Sequence, residues 1–411
     1  MTTDLETVDA PRHSSEAMRG LNVAFILTGA AEATVLPFIV LYLFERGFDA
    51  PAIGVVLSAA ALASLVTSPV WAYVADRGLG AERTVVVATV AAAAGGLLLA
   101  LAHGRLAVAA VTVVLFVARS PFTSLLDAIA LQRLGGPGRS GYARIRLWQS
   151  AGWAAVAVAS GAVLQAAGLQ LVPFLYAPMV LLLGIWVWFA LKPVTRLQPG
   201  PAPHKRTGSV SLPRVPVGLI GFLVSTLLVG TSFAATANFV TLRINVLGGG
   251  ALLIGAAAAC QALTEIPTMA YTHVLTRHLS HRVLYVVGCG IYVAVFVAWA
   301  FVSDALVTAL IKLVIGVGFA LSYVAAVYIA DDLAPANLRA TAQALVKSVS
   351  FGLAPIAGAL GGGLVYGAIG SRAMFLAAAA LTVVAGFVAL VALPARKVED
   401  SPRITAQLPL H

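Results

Sequence analysis

The 411-residue chain is poor in charge: only 10% of its residues are Asp, Glu, Lys or Arg, against about a quarter in a water-soluble domain. With 26 basic and 16 acidic side chains it cannot cover the surface of a soluble fold this long. Cysteine is nearly absent too. Cys260 and Cys289 both lie in apolar stretches, which leaves neither a disulfide framework nor a zinc site. No G-x-x-x-x-G-K-[ST] loop occurs, so ATP is not the expected energy source and no cofactor is expected. An enzyme would need nucleophiles or metal ligands gathered near one membrane face. The nearest approach is His273, His278 and His281, strung along a basic loop with Arg277 and Arg282, and it reads as a solvated connection.

What is abundant is apolar: 60% of residues, with a mean hydropathy of +0.95. They fall into twelve blocks, about 21–44, 51–74, 84–103, 106–130, 147–168, 171–191, 215–243, 251–275, 283–303, 305–330, 341–366 and 371–393. Each approximates the ~20 residues of a membrane-spanning helix, and none alternates with the period-two pattern of a transmembrane barrel. The predicted fold class is therefore all-α integral membrane, with lipid as the main solvent.

The net charge of +10 could point to nucleic acid, but the basic residues sit mostly in short loops, where they set topology. With the N-terminus on the cytoplasmic side, 19 Lys and Arg lie inside and four (Arg46, Arg105, Arg243, Arg372) outside. Both termini are thus expected to be cytoplasmic. Residues 1–20 form a polar tail, and the first block, with no small-residue cleavage site after it, reads as a retained helix. Residues 192–214 (KPVTRLQPGPAPHKRTGSVSLPR) are basic, proline-rich and free of acid. They read as a cytoplasmic linker between a six-helix half over 21–191 and a second over 215–393, with a tail over 394–411. Pro69–Tyr73 and Pro267–Tyr271 repeat P-x-x-A-Y at an offset of 198, as an internal duplication would. Two six-helix halves around a central site are the organisation of many secondary transporters.

An ionised side chain mid-bilayer costs about 2.5–3.5 kcal/mol on insertion scales, so those present are informative. They are Glu32 in block one, Arg119 and Asp127 in four, Glu265 in eight, Lys312 in ten and Lys347 in eleven. Blocks three, six, nine and twelve carry none and read as lipid-facing. Glu32, Arg119 and Glu265 fall near the midplane, whereas Lys312 and Lys347 are near enough to block ends to snorkel. Arg119, Ser120, Thr123, Ser124 and Asp127 follow three- and four-residue spacings, which gathers them on one helical stripe like a cavity wall. Asp127 suits an ion pair with Arg144 or Arg146 as well as a transport role. Gln343, Lys347 and Ser350 repeat the pattern more weakly, and Asn238 is a polar group in block seven. Prolines 37, 69, 121, 178, 267 and 355 interrupt six blocks, giving kink points.

At this point the chain resembles the major facilitator superfamily over nearly its whole length. The most specific match is W-A-Y-V-A-D-R-G-L-G-A-E-R, Trp71 to Arg83, similar to the family's signature between the second and third helices. The resemblance implies that Asp76, Arg77 and Arg83 form a latch on the cytoplasmic side. Ala72 stands where glycine is usual, and the Gly78-Leu79-Gly80 stretch is slipped by about a residue, so the latch is expected to be weaker or differently timed. Three further stretches resemble the phenylpropionate permease-like group, related to lactose and nucleoside permeases. They are Leu125–Leu131 running into Tyr142–Trp153, Glu265–Pro267, and Leu338–Leu345. This resemblance implies a cavity between helices one, four, seven and ten, and proton symport.

The expected protein is a monomeric proton-coupled transporter in a bacterial cytoplasmic membrane, its partners a small-molecule substrate, protons and lipid. Glu32, Glu265 and Asp127 are the candidate proton-coupling residues, with Arg119 the partner of Glu32 and Lys347 or Lys312 the counter-charge of Glu265. Arg119, Asn238, Lys312, Tyr323 and Lys347 are the candidate substrate contacts. They suit an organic anion such as an aromatic carboxylate, with Tyr323 and Tyr328 able to stack. Export of amphipathic compounds, sodium coupling and a transport-dead sensor are the competing expectations.

Overall fold

The computed structural model describes residues 10–134, 141–191, 216–335 and 338–394, without the side chains of 10–17, 141–144, 273 and 340. The expected linker at 192–214, residues 1–9 and 395–411 of the expected tails, and the His273 and Arg144 side chains lie outside these residues. Twelve helical spans are present: α1 Met18–Glu45, α2 Ala50–Leu79, α3 Ala81–Leu101, α4 Arg105–Arg133, α5 Ile145–Ala167, α6 Leu169–Ala190, α7 Val217–Val246, α8 Ala251–Thr272, α9 His281–Phe301, α10 Ala305–Leu333, α11 Thr341–Ile369 and α12 Ser371–Ala392. Among the described residues there is no strand. The protein is a twelve-helix membrane bundle.

Very short connections make the helices antiparallel. A single glycine, Gly168, joins α5 to α6, and another, Gly370, joins α11 to α12, with φ of 94° and 97°. No β-carbon hinders them in this left-handed region. Asp49, Ser280 and Asp304 cap α2, α9 and α10 by accepting from the backbone N–H groups of Ala52, Val283 and Val307, groups a helix start otherwise leaves unpaired. The loops at 46–49, 102–104, 168, 247–250, 302–304 and 370 share one end of the bundle, the far end. The starts of α1 and α7 and the ends of α6 and α12 share the other, the termini end.

The two halves repeat specific contacts. Arg46 donates to the carbonyl of Ala102, and Arg243 to that of Val302, at 3.2 and 3.0 Å. At the termini end Glu82 of α3 pairs with Arg133 of α4 at 3.2 Å, and His281 of α9 with Asp332 of α10 at 2.8 Å. Both residues of the second pair lie 199 positions beyond those of the first, with acid and base exchanged.

Of the four spans with no charge deep in the membrane, α3 packs on α6 and α9 on α12. Small residues bring the inner helices together. A β-carbon at Gly29 of α1 would collide with the carbonyl of Gln149, and one at Gly152 of α5 with that of Ile26. This mutual approach lets α5 lay Gln149 beside Glu32. Gly152→Leu must force the two backbones apart, an overpacking that costs ~3 kcal/mol or more. The expected result is a large drop in the melting temperature of the purified protein in detergent, together with loss of transport.

The closest approaches between the halves occur toward the far end. Gly54 of α2 meets Ala359 of α11, Gly363 meets the carbonyl of Ala50, Gly161 of α5 meets that of Ala251, and Gly255 of α8 meets that of Ala157. The far end is therefore where close backbone approaches hold the halves together.

Candidate functional site

Four spans are irregular next to an intramembrane charge. α1 is interrupted at residues 36–38, just past Glu32, and Pro37 supplies the reason. α4 breaks at Ser120 and Pro121, next to Arg119, and α10 at Ile311, next to Lys312. α11 carries a π-helical turn, Val349–Leu353, beginning two residues after Lys347. Proline cannot donate to the helical ladder, and π turns are enriched at functional sites.

In the first half, Arg119 Nη2 lies 2.8 Å from Glu32 Oε1, and Gln149 Nε2 donates to Glu32 Oε2 at 3.4 Å. The two charged side chains are only 16% and 12% exposed. The Arg119 guanidinium also lies over the Phe116 ring. Arg119 is thus held by an acid in this conformation. Nearby, Arg146 of α5 chelates Asp127 of α4, with Nη1 at 2.9 Å from Oδ1 and 3.1 Å from Oδ2. This pair is more exposed, at 44% and 25%.

Glu265 departs from its expected pairing. It forms no ion pair or hydrogen bond with Lys312 or Lys347; the cation within electrostatic reach is Arg146 of the opposite half. Tyr323 lies within reach of Arg146, Asp127 and Glu265, so these four residues from α4, α5, α8 and α10 share the cleft between the halves. The Lys312 side chain is buried, at 9% relative exposure for the residue, on the α8 side of α10 near Cys260. It faces protein, not the lipid headgroups, and does not join the other substrate candidates.

Asn238, Tyr323 and Lys347 come together in a cavity of about 260 Å³ formed within the second half by α7, α9, α10 and α11, which Arg119 does not line. Its polar lining includes Asn238, Tyr323, Lys347, Gln343 and Ser350. Its apolar walls include a chain of rings. Phe233 contacts Tyr292 and Phe319 at 5.7 and 5.4 Å, Phe319 stacks on Tyr323 at 5.7 Å and 7°, and Tyr323 meets Phe351 edge-on at 6.0 Å. Offset and edge-to-face contacts of this kind are the favoured geometries between aromatic rings. Tyr328 lies elsewhere, stacked on His281 at 4.7 Å.

The latch candidates are at the termini end. Asp76 and Arg77 sit in a π-helical turn, Val74–Leu79, and with Arg83 they are exposed. Among the described residues they make no ion pair, and the buried pair beside them is Glu82–Arg133. Sequence reasoning did not single out Gln149, Tyr176, Phe233, Tyr292, Phe319 or Phe351. Phe319 and Tyr323, four residues apart on one helical face, carried the clearest missed signal.

The profile of the MFS_1 like family matches residues 19–377. A maltose permease of Geobacillus stearothermophilus is 26% identical over 330 residues, which cover 80% of this chain and 82% of that protein. A crystal structure of a mutant of the nucleoside transporter NupG superposes with a TM-score of 0.76 at 17% identity, covering 92% of this chain and 100% of that one. For a mutant of the peptide transporter POT the TM-score is 0.73 at 13% identity, over 94% and 98% of the two chains. These structures share the fold.

Proposed function

The chain belongs to the MFS_1-like family, and so to the secondary transporters of the major facilitator superfamily, and from that premise we propose that it imports an aromatic organic anion with protons by alternating access. It is a multi-pass membrane protein and not an enzyme. The observation that carries the finer reading is a division of labour between the halves. The buried acid–base pair Glu32–Arg119 lies in the first half, and the ring-lined cavity with its single lysine in the second.

In this reading the aromatic body of the substrate enters among Phe233, Phe319, Tyr323 and Phe351, and its carboxylate faces Lys347, with Asn238 and Gln343 as neutral hydrogen-bonding groups. Arg119, already neutralised by Glu32, serves coupling more than binding. Glu32 carries the proton: protonated, it releases Arg119; ionised, it restores the pair. Glu265 and Asp127 contend for Arg146 across the cleft, giving the two halves a charge that differs between open and closed states. Lys312 is the least favoured of the binding candidates, because it lies behind α10. The three stretches similar to the phenylpropionate permease-like group support an aromatic acid as cargo.

The basic bias of the loops supports a termini end in the cytoplasm, with a bacterial cytoplasmic membrane as the proposed location; in that orientation the far-end contacts close the outer side and this conformation faces inward. Asp76, Arg77 and Arg83 would then engage when the inner mouth closes. The linker at 192–214 ties two six-helix halves in one monomer. A sugar is the second reading, favoured by the maltose permease relative and by the polar Asp127–Arg146–Glu265 group.

Thermal-shift measurements across aromatic acids, nucleosides and sugars test the choice. Stabilisation by an aromatic acid that weakens about tenfold in apparent affinity in Lys347→Gln, the loss of one charge-assisted contact of ~1.5 kcal/mol, is the expected result. Stabilisation by sugars alone, indifferent to Lys347, would overturn the anion reading.

A further inference from the structure

Three buried polar atoms around the Glu32–Arg119 pair have no protein partner among the described residues: Arg119 Nε, Gln149 Oε1 and the hydroxyl of Tyr176. Tyr176, from α6, is 1% exposed and close enough to feel the charges of both Arg119 and Glu32. Its ring rests against Gly96 of α3, where a β-carbon would stand 3.1 Å from it. The other polar ends of Arg119 and Gln149 are already turned to Glu32, through Nη2 and Nε2. Side chains from four helices, α1, α4, α5 and α6, are therefore gathered around the pair.

The unpartnered set is one donor (Nε–H), one acceptor (Oε1) and one hydroxyl that does either. A ligand completing it must both donate and accept. An anion would meet Glu32 and a metal cation would meet Arg119, whereas a water molecule satisfies all three, as buried waters commonly do. We propose that the first half holds an ordered water bonded to Arg119 Nε, Gln149 Oε1 and Tyr176 Oη, and that Tyr176 acts through it as a positioning residue for proton exchange at Glu32.

The inference rests on Glu32 being the coupling carboxylate. When Glu32 loses its proton, the carboxyl O–H bond breaks and the proton passes to solvent water, leaving a carboxylate that faces Arg119. The ordered water and the phenol gain and lose no proton in this step; they hold Arg119 and Gln149 in the orientation that receives the carboxylate.

Tyr176→Phe removes only the hydroxyl and keeps the ring against Gly96, so the fold is retained and the melting temperature in detergent verifies it. In proteoliposomes the variant is expected to lose about tenfold in proton-driven accumulation, with its pH profile moved by about one unit. Substrate exchange without a proton gradient stays at the wild-type rate. The infrared carbonyl stretch of protonated Glu32, assigned by its loss in Glu32→Gln, is expected to shift in Tyr176→Phe. An unchanged pH profile and an unchanged band overturn the inference. Its failure is distinguishable from that of the reading beneath it. If Glu32→Gln accumulates substrate normally, the coupling role falls; if Glu32→Gln is uncoupled and Tyr176→Phe matches the wild type, only the water and its tyrosine fall.

Discussion

Replacing Glu32 with glutamine is expected to abolish concentrative uptake while leaving the protein able to equilibrate its substrate. Glutamine keeps the size and the hydrogen-bonding reach of the side chain, so the contacts to Arg119 and Gln149 persist in weaker form, but it carries no exchangeable proton in the pH range of a cell. One pH unit of gradient is worth about 1.4 kcal/mol, a tenfold accumulation ratio, and all of that is expected to vanish in vesicles with an imposed gradient. Counterflow, which needs no gradient, continues. Removing the partner instead is expected to damage folding. Arg119→Ala leaves a buried carboxylate unpaired, at a cost of about 3–5 kcal/mol, so its melting temperature falls well below that of Glu32→Gln. Normal accumulation by Glu32→Gln in sealed vesicles would remove this residue from the coupling scheme.

The second large effect concerns the seam that closes the far end. Gly54 and Gly255 face backbone of the opposite half, the former near Ala359 and the latter near Ala157. Valine at either position collides only while the far end is closed. Each substitution costs that state about 1–3 kcal/mol, and the pair together approaches the ~5.5 kcal/mol that turns a 1:99 equilibrium into 99:1. The double variant Gly54→Val/Gly255→Val is therefore expected to populate a far-end-open state. A cysteine at Asn238, in the cavity, reports it when Cys260 and Cys289 are replaced by serine. Labelling of Asn238→Cys from the far side by a membrane-impermeant thiol reagent should rise at least about tenfold on adding the two valines. Unchanged labelling in a folded protein would contradict a rocking seam at these glycines.

The twelve spans were legible in the sequence because hydrocarbon demands long apolar helices and positions every charge at a cost. Glu32 and Arg119 stood out for the same reason, and they meet in the structure. Glu265 shows where that reasoning stops. The cation within its electrostatic reach, Arg146, comes from the other half, and charge depth along a helix says nothing about which helix lies opposite. Lys312 is similar: its depth was readable, but its rotation toward α8 was not. Tyr176 and Tyr292 were missed because they lie on α6 and α9, spans with no charge deep in the membrane, and aromatic residues in membrane helices more often pack than bind. The ring chain from Phe233 to Phe351 depends on three helices meeting, which periodicity along one helix cannot express. The latch motif was readable as a motif, yet the buried pair at that end uses Glu82 with Arg133.

The central claim is that substrate and proton move together, one bound in the second half and the other in the first. The most direct test is the pH of a weakly buffered medium around proteoliposomes when an aromatic carboxylate is added with no gradient imposed. Coupled entry of substrate and proton predicts alkalinisation of the medium, which disappears in Glu32→Gln and needs a higher substrate concentration in Lys347→Gln. Acidification on substrate entry, or uptake with no proton movement at all, would contradict it.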